Sequence, residues 1–397
     1  MNNNALPDFR SKDFLLGHIA SILDFYQPNI SDPHWGGHHQ NFKDDGSIFD
    51  PGLKHLVSTT RLIFNYCKAY QHWKNPQHLQ LAEQGLVYLR EQHWDNARQG
   101  YNWTLQDNQA TEQTNHCYGL AFVILTYATC LETGMSDTKK DLYAAWDLME
   151  KHLWQPEQGL YADEATADWS EIGRYRGQNA NMHTCEALLA AYQATKDEQF
   201  LNRAYQLAKT LTVDLAAKAN GLVWEHYTSK LEIDWEYNKS DPKNLYRPWG
   251  FQPGHQTEWT KLLLVLHRFR PEDWMLERAR FLFDKALSIC WDDEFGGILY
   301  GFAPDGKICD DDKYFWVQAE SFAAAALLAK ATNDEQYWQR YAQIWQYAWQ
   351  HMIDHEHGAW YRLLTRDNKK YSDEKSIAGG KCDYHTMGAC WEVFYHA

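Results

Sequence analysis

The chain has no apolar run near the ~20 residues that a bilayer-spanning helix needs. Runs such as Leu262 to Leu266 and Phe322 to Ala329 are far shorter, and no membrane span is expected. Basic runs are missing too: 38 Lys and Arg stand against 53 Asp and Glu, a net charge of −15. Such a chain repels nucleic acid and anionic membrane surfaces, so a neutral or cationic small ligand is the expected partner. The eight cysteines form no Cys-x-x-Cys pair, and no signal-peptide pattern precedes Asp13-Phe-Leu-Leu-Gly17, which predicts reduced thiols in the cytoplasm. No Pro- or Ser-rich linker divides the 397 residues, so one domain over 1–397 is expected. Neither Gly36-Gly37 nor Gly379-Gly380 extends into a phosphate-cradling loop. The histidines at 34, 38 and 39 and at 351, 355 and 357 have ligand-like spacing but lack Cys partners, so loop structure is expected there rather than zinc. Asp310-Asp311-Asp312 lacks the alternating ligands and Gly of a calcium loop, and a solvated loop is expected. Monomeric and homo-oligomeric assembly are both compatible with the sequence.

Aromatic residues are plentiful, with 19 Trp, 24 Tyr and 17 Phe in a chain that is 44% hydrophobic. That is enough for a large core and an aromatic pocket. A Gly with nearby aromatics recurs at Trp35-Gly-Gly37, Gly100-Tyr-Asn-Trp103, Gly159-Leu-Tyr161, Gly221-Leu-Val-Trp224, Gly296-Gly-Ile-Leu-Tyr300 and Gly358-Ala-Trp-Tyr361. The interval is roughly 60 to 75 residues, the length of a supersecondary unit. An amphipathic helical pattern precedes each Gly: 12–26, 76–92, 138–153, 198–218, 271–291 and 335–352. A more apolar one follows: 58–70, 115–130, 181–194, 255–269, 315–329 and 384–395. Six exposed helices alternating with six buried ones pack most simply as two concentric rings, and this closed form is expected over an open solenoid. Short strands are expected at 296–300 and 358–364, at one end of the ring. Since every Gly loop leads into an inner helix, the N-terminal ends of the inner helices should share one face, and a pocket should lie there.

The first turns of those inner helices carry Arg61; Asn115, His116 and Tyr118; Asn179, His183 and Glu186; His255 and Glu258; Trp316, Gln318 and Glu320; and Asp383 and His385. Any one of these is most simply a satisfied structural group. A ring of them on apolar helices is costly unless paired or facing a wet cavity, which points to a hydroxyl-rich ligand. His255 and His385, from different helices, suit general acid and base work because imidazole titrates near neutral pH. Glu258 and Glu320 could orient them or accept sugar hydroxyls. A di-metal site is less well supported, because such bundles use Glu-x-x-His and both pairs here run His-x-x-Glu.

Ser58-Thr-Thr-Arg61, Arg176-Gly-x-Asn-Ala-Asn-Met-His183-Thr-x-Glu-Ala187, Pro253-Gly-His255-x-x-Glu-Trp259, Trp316-x-Gln-Ala-Glu320 and the late His385 together resemble the N-acylglucosamine 2-epimerase superfamily, in its aldose-ketose isomerase branch. The resemblance implies an (α/α)6 barrel of six helix pairs with short hairpins or loops at one end. It also implies cofactor-independent, metal-free sugar isomerisation through an enediol, with D-mannose and D-fructose interconverted and D-lyxose and D-xylulose as a second pair. By the same resemblance His255 and His385 correspond to the acid/base pair. Arg61, Tyr118, Asn179, His183, Arg247, Glu258, Trp316 and Glu320 correspond to substrate contacts. Epimerisation at C2 is the close rival. An (α/α)6 glycoside hydrolase, using two carboxylates such as Glu258 and Glu320, is the rival from another reaction class.

Overall fold

The computed structural model describes residues 6–397; of the span expected to form one domain, 1–5 lie outside the described residues. Twelve α-helices occur among the described residues. The outer six are α1 (Lys12–Tyr26), α3 (Pro76–Tyr88), α5 (Thr138–His152), α7 (Glu198–Lys209), α9 (Asp273–Cys290) and α11 (Glu335–Tyr347). The inner six are α2 (Leu56–Trp73), α4 (Cys117–Glu132), α6 (Gln178–Thr195), α8 (Pro253–Phe269), α10 (Phe315–Thr332) and α12 (Tyr384–His396). Each inner helix packs on the next, α12 returns to α2, and α1 lies against α12, so the ring closes. The burial patterns explain the sorting. In α7 only Phe200, Leu201, Ala204, Leu207 and Ala208 are buried, a single stripe, whereas α10 is buried all round from Val317 to Ala329.

Several helix boundaries differ from the sequence expectation. The long outer patterns at 76–92, 198–218 and 335–352 each pass from α-helix into a π-helical turn, at Leu89–His93, Thr210–Leu215 and Ala348–Met352, and the second closes with a 3-10 turn at Ala216–Lys218. Asn115 and His116 are strand residues that precede α4 rather than its first turn. Three inner-to-outer corners are only two residues long. Lys74-Asn75, Lys196-Asp197 and Asn333-Asp334 each place a left-handed residue first and then an Asn or Asp that caps the next helix.

At the other end short antiparallel pairs link every repeat to its neighbour. Leu53–His55 pairs with Thr104–Gln106, Asn115–His116 with Glu164–Ala165, Arg176–Gly177 with His226–Tyr227, and Lys313–Tyr314 with Leu363–Leu364. Phe251 bridges Phe302, and Phe42–Lys43 pairs with Glu374–Ser376, which joins the first repeat to the last. Of the two expected strands, 358–364 supplies Leu363–Leu364, while 296–300 makes only the isolated bridge at Ile298. This belt of strands anchors the N-terminal ends of the inner helices around one opening.

Candidate active site

A cavity of about 680 Å³ opens at that end, and all six inner helices line it. Arg61 comes from α2, Tyr118 from α4, Asn179 and His183 from α6, His255 and Glu258 from α8, Trp316 from α10 and His385 from α12. His255 is the third residue of α8, where Pro253 supplies the helical φ of a first-turn residue. Gly254 is needed beside it, because a Cβ there would lie 2.5 Å from the Trp316 indole. That indole rests against both candidate acid/base rings, 5.0 Å from His255 and 5.8 Å from His385 between ring centres.

Each histidine is held by a carboxylate at Nδ1. Glu225 lies 3.0 and 2.9 Å from His255 Nδ1 through its two oxygens, and Gln178 Nε2 donates to Glu225 Oε2 at 2.9 Å. Trp259 Nε1 in turn donates to Gln178 Oε1 at 2.8 Å. Glu320 Oε1 lies 2.7 Å from His385 Nδ1. Nε2 of His255 is left for the cavity and Nε2 of His385 faces it beside Arg61, the arrangement a proton-transferring imidazole needs. Burial, then the Arg61 cation, holds His385 well below the usual 6.5, so the ring is unprotonated at neutral pH. Arg61 Nη2 lies 3.4 Å from His385 Nε2 and donates to Tyr118 at 2.8 Å, while its guanidinium stacks 4.3 Å from the Phe122 ring centre.

His183 and Glu186, expected on one helix face, do meet: His183 Nδ1 lies 3.0 Å from Glu186 Oε2. Glu258 is fully buried with neither oxygen hydrogen-bonded. Burial and the neighbouring Glu320 push its carboxyl well above the usual range, which favours the protonated form. Asn179 Oδ1 is likewise buried without a partner. Arg247 stands at the mouth, where Nη2 donates to Glu164 at 2.8 Å and the guanidinium lies 4.1 Å from the Tyr175 ring centre.

Five expected groups do not reach the cavity, because other partners hold them. Glu320 is 1% exposed and stands behind His385, outside the cavity lining. Gln318 clamps the Ile298 backbone with both ends of its amide, at 3.0 and 2.9 Å. Asn115 donates to Thr166 O at 2.7 Å, and Glu186 pairs with His183. Asp383 is buried against Lys381, Tyr26 and Thr386. The solvated loop expected at 310–312 is also corrected: Asp310 and Asp312 are buried, and Lys243 Nζ approaches them at 3.3 and 3.0 Å. His38, His39 and His355 bond backbone carbonyls.

Sequence reasoning missed Glu225, Lys261 and the cavity-lining Asp163, Tyr175, Tyr237, Tyr300 and Tyr314. Two left a trace: Glu225 lies one residue beyond the recurring Gly221-Leu-Val-Trp224, and Tyr300 ends the recurring Gly296-Gly-Ile-Leu-Tyr300. Carboxylates and histidines with metal-like spacing do cluster at Glu186, Glu258, Glu320, His183 and His385. The Lys261 ammonium already stands among them, 2.6 Å from Glu320, 3.5 Å from Glu186 and 3.9 Å from Glu258.

The N-acylglucosamine 2-epimerase (GlcNAc 2-epimerase) family pattern matches residues 36–389. A D-mannose isomerase of Marinomonas mediterranea is 53% identical over 388 residues, covering 98% of each chain. A crystal structure of D-mannose isomerase superposes with a TM-score of 0.97 at 52% identity, over 99% of this chain and 100% of that one. The cellobiose 2-epimerase of Spirochaeta thermophila, at 21% identity, shares the fold with a TM-score of 0.86 over 97% and 96% of the two chains. On the family match and these full-length likenesses, a closed ring of six helix pairs around a two-histidine cavity, the chain belongs to the N-acylglucosamine 2-epimerase family.

Proposed function

We infer that the chain is a D-mannose isomerase, a sugar isomerase that interconverts D-mannose and D-fructose. The observation that carries this is the full-length likeness to a D-mannose isomerase at 53% identity. The site geometry supports a route. His255 assists opening of the pyranose ring, which exposes the C1 aldehyde. His385 Nε2 then takes the C2 proton; the C–H electron pair forms the C1–C2 double bond, and O1 gains a proton. The resulting enediol loses its O2 proton and takes the first proton back at C1, giving the ketose. The proton gained by O1 and the one lost by O2 pass through His255 Nε2. Arg61 stands where it can hold an enediolate oxygen, beside His385. Protonated Glu258 and the free Asn179 Oδ1 bind sugar hydroxyls.

Returning the proton to the opposite face of C2 would give the epimer, but the full-length relatives at 52–53% identity are isomerases. A two-carboxylate hydrolase is disfavoured by the burial of Glu320 behind His385. D-Lyxose, which matches D-mannose from C1 to C4, is the proposed second substrate. The reading treats the described chain as one catalytic domain, since every repeat contributes to the cavity. No helix among the described residues is long and apolar enough to cross a membrane, and the eight cysteines are free thiols; the cytoplasm is the proposed location.

The test is incubation with D-mannose, D-glucose, D-fructose and D-lyxose after exhaustive EDTA treatment, followed by separation of products. Fructose from mannose and xylulose from lyxose are expected at undiminished rate. Glucose from mannose as the first product would replace isomerisation by epimerisation, and a loss of rate restored by a divalent ion would overturn the histidine route.

A further inference from the structure

Lys261 lies one turn beyond Glu258 on α8, buried and outside the cavity lining. Ionisable groups from four other inner helices surround it. Glu186 and His183 face it from α6, Glu320 from α10, His385 stands beyond Glu320 on α12, and Arg61 lies on the far side of His385 from α2. Its own helix adds Glu258. The ammonium is 2.6 Å from Glu320 Oε2, the shortest of its three carboxylate contacts. Charge and contact both favour the carboxylate form of Glu320.

We propose that Lys261 is a positioning residue of the isomerisation. Its ammonium keeps Glu320 a carboxylate, so that Glu320 accepts from His385 Nδ1–H and the Nε2 lone pair of His385 faces C2 and C1 of the sugar. The inference rests on the reading of His385 as the carrier of the C2 proton. Three carboxyl groups crowd this buried space, and they cannot all be ionised around a single cation without large cost. With Glu258 protonated, Lys261 and Arg61 balance Glu186 and Glu320. Without Lys261 one buried negative charge is left over, and Glu320 is the group that gives way. Burial already pushes Glu320 upward, and Lys261 is the strongest influence opposing it. A protonated Glu320 no longer holds the proton on Nδ1: by donating to Nδ1 it places the proton of His385 on Nε2. In that tautomer the ring has no lone pair for the C2 proton.

The test compares Lys261→Met and Lys261→Arg with the wild type on D-mannose, across pH. Conversion of mannose by the wild type tests the functional reading; the variants and the imidazole tautomer test this one. For Lys261→Met, kcat at pH 7 is expected to fall about 10²-fold or more, the size of a lost acid/base contribution. KM should change little, because Lys261 does not line the cavity. The acid limb of kcat should move up by about 1–3 units, the usual effect of an adjacent opposite charge on a carboxyl, so part of the rate returns as pH rises. Lys261→Arg, which restores the cation, should recover both the limb and most of kcat. An unchanged limb in Lys261→Met, or a rise in KM with kcat intact, overturns the proposal. Should Lys261→Met fail to fold, ¹⁵N spectra of histidine-labelled wild type decide, with the His385 signal assigned by its loss in His385→Asn. A proton on Nδ1 at pH 7 is the expected result, and a proton on Nε2 overturns it.

Discussion

Glu225 and Glu320 perform the same task for different histidines, yet the sequence advertises them unequally. Glu320 sits in a helix head, where spacing from Trp316 draws attention to it. Glu225 sits in a loop whose course is fixed only when Arg176–Gly177 pairs with His226–Tyr227. The histidines were legible because a polar group at the head of an apolar helix needs a reason. Lys261 was not, because a Lys ahead of a leucine run reads as a solvated helix face, and only the carboxylates of α6 and α10 make burial tolerable. The neutral state of His385 leads to a prediction at this scale. Because burial and Arg61 hold the ring well below 6.5, lowering the pH from 7 through 6.5 leaves the folded enzyme's base unprotonated. Deuterium uptake from D₂O at C2 of mannose should therefore stay level across that window and decline only below it. His385→Asn should abolish the uptake at C2 and at C1 of fructose, a loss of about 10² to 10⁴ in rate or more. Exchange that halves at pH 6.5 in the wild type, or survives in His385→Asn, would assign the base to another group.

The twelve helices were readable because each period is long and each Gly loop marks a repeat. The short strands at one end were expected, and 358–364 supplied Leu363–Leu364, but most of the pairings were not legible, since two-residue strands carry no pattern. Their stability comes from a device that recurs in the first, fifth and sixth repeats. Asp32, Asp292 and Asp354 each accept two backbone N–H groups of the turn that follows. Each also receives a buried lysine from the strand leading to the next inner helix: Lys54 at 2.6 Å, Lys313 at 3.2 Å and Lys375 at 2.6 Å. The lysine thus ties the loop after an outer helix to the head of an inner one. Lys375 Nζ further donates to Gly358 O at 2.8 Å and Asp44 O at 3.1 Å, joining the last repeat to the first. Lys375→Met would leave Asp354 charged and buried, and removing one partner of such a pair costs about 3–5 kcal/mol. Urea unfolding should show a loss of this size at pH 7. A loss below about 1 kcal/mol, the value of an exposed pair, would mean that water reaches Asp354.

Closure of the ring is where the whole molecule bears on the chemistry. The first outer helix packs against the last inner one, and the strand pairing of Phe42–Lys43 with Glu374–Ser376 seals the same seam at the cavity end. Aromatic residues fill it: Phe9 stacks on Trp345 at 5.6 Å, and Trp360 Nε1 donates to His18 Nε2 at 2.8 Å. At its top Tyr26 of α1 donates to Asp383 Oδ2 at 2.6 Å. Asp383 precedes α12 in a left-handed conformation, with φ 52°, and also receives Thr386 Oγ1 at 2.8 Å and the Lys381 ammonium. Two residues later comes His385. The closing contact between the two ends of the chain therefore sets the position of the proposed base, and this connection was invisible in the sequence because 357 residues separate Tyr26 from Asp383. Tyr26→Phe removes one hydroxyl and no packing volume. It leaves a buried carboxylate short of one donor, at a cost of about 1–3 kcal/mol, and frees the first turn of α12 to shift. Both stability in urea and kcat on D-mannose should fall, with KM less affected because Tyr26 does not line the cavity. If stability falls while kcat holds, the seam closes the ring without positioning His385, and the coupling of closure to catalysis is refuted.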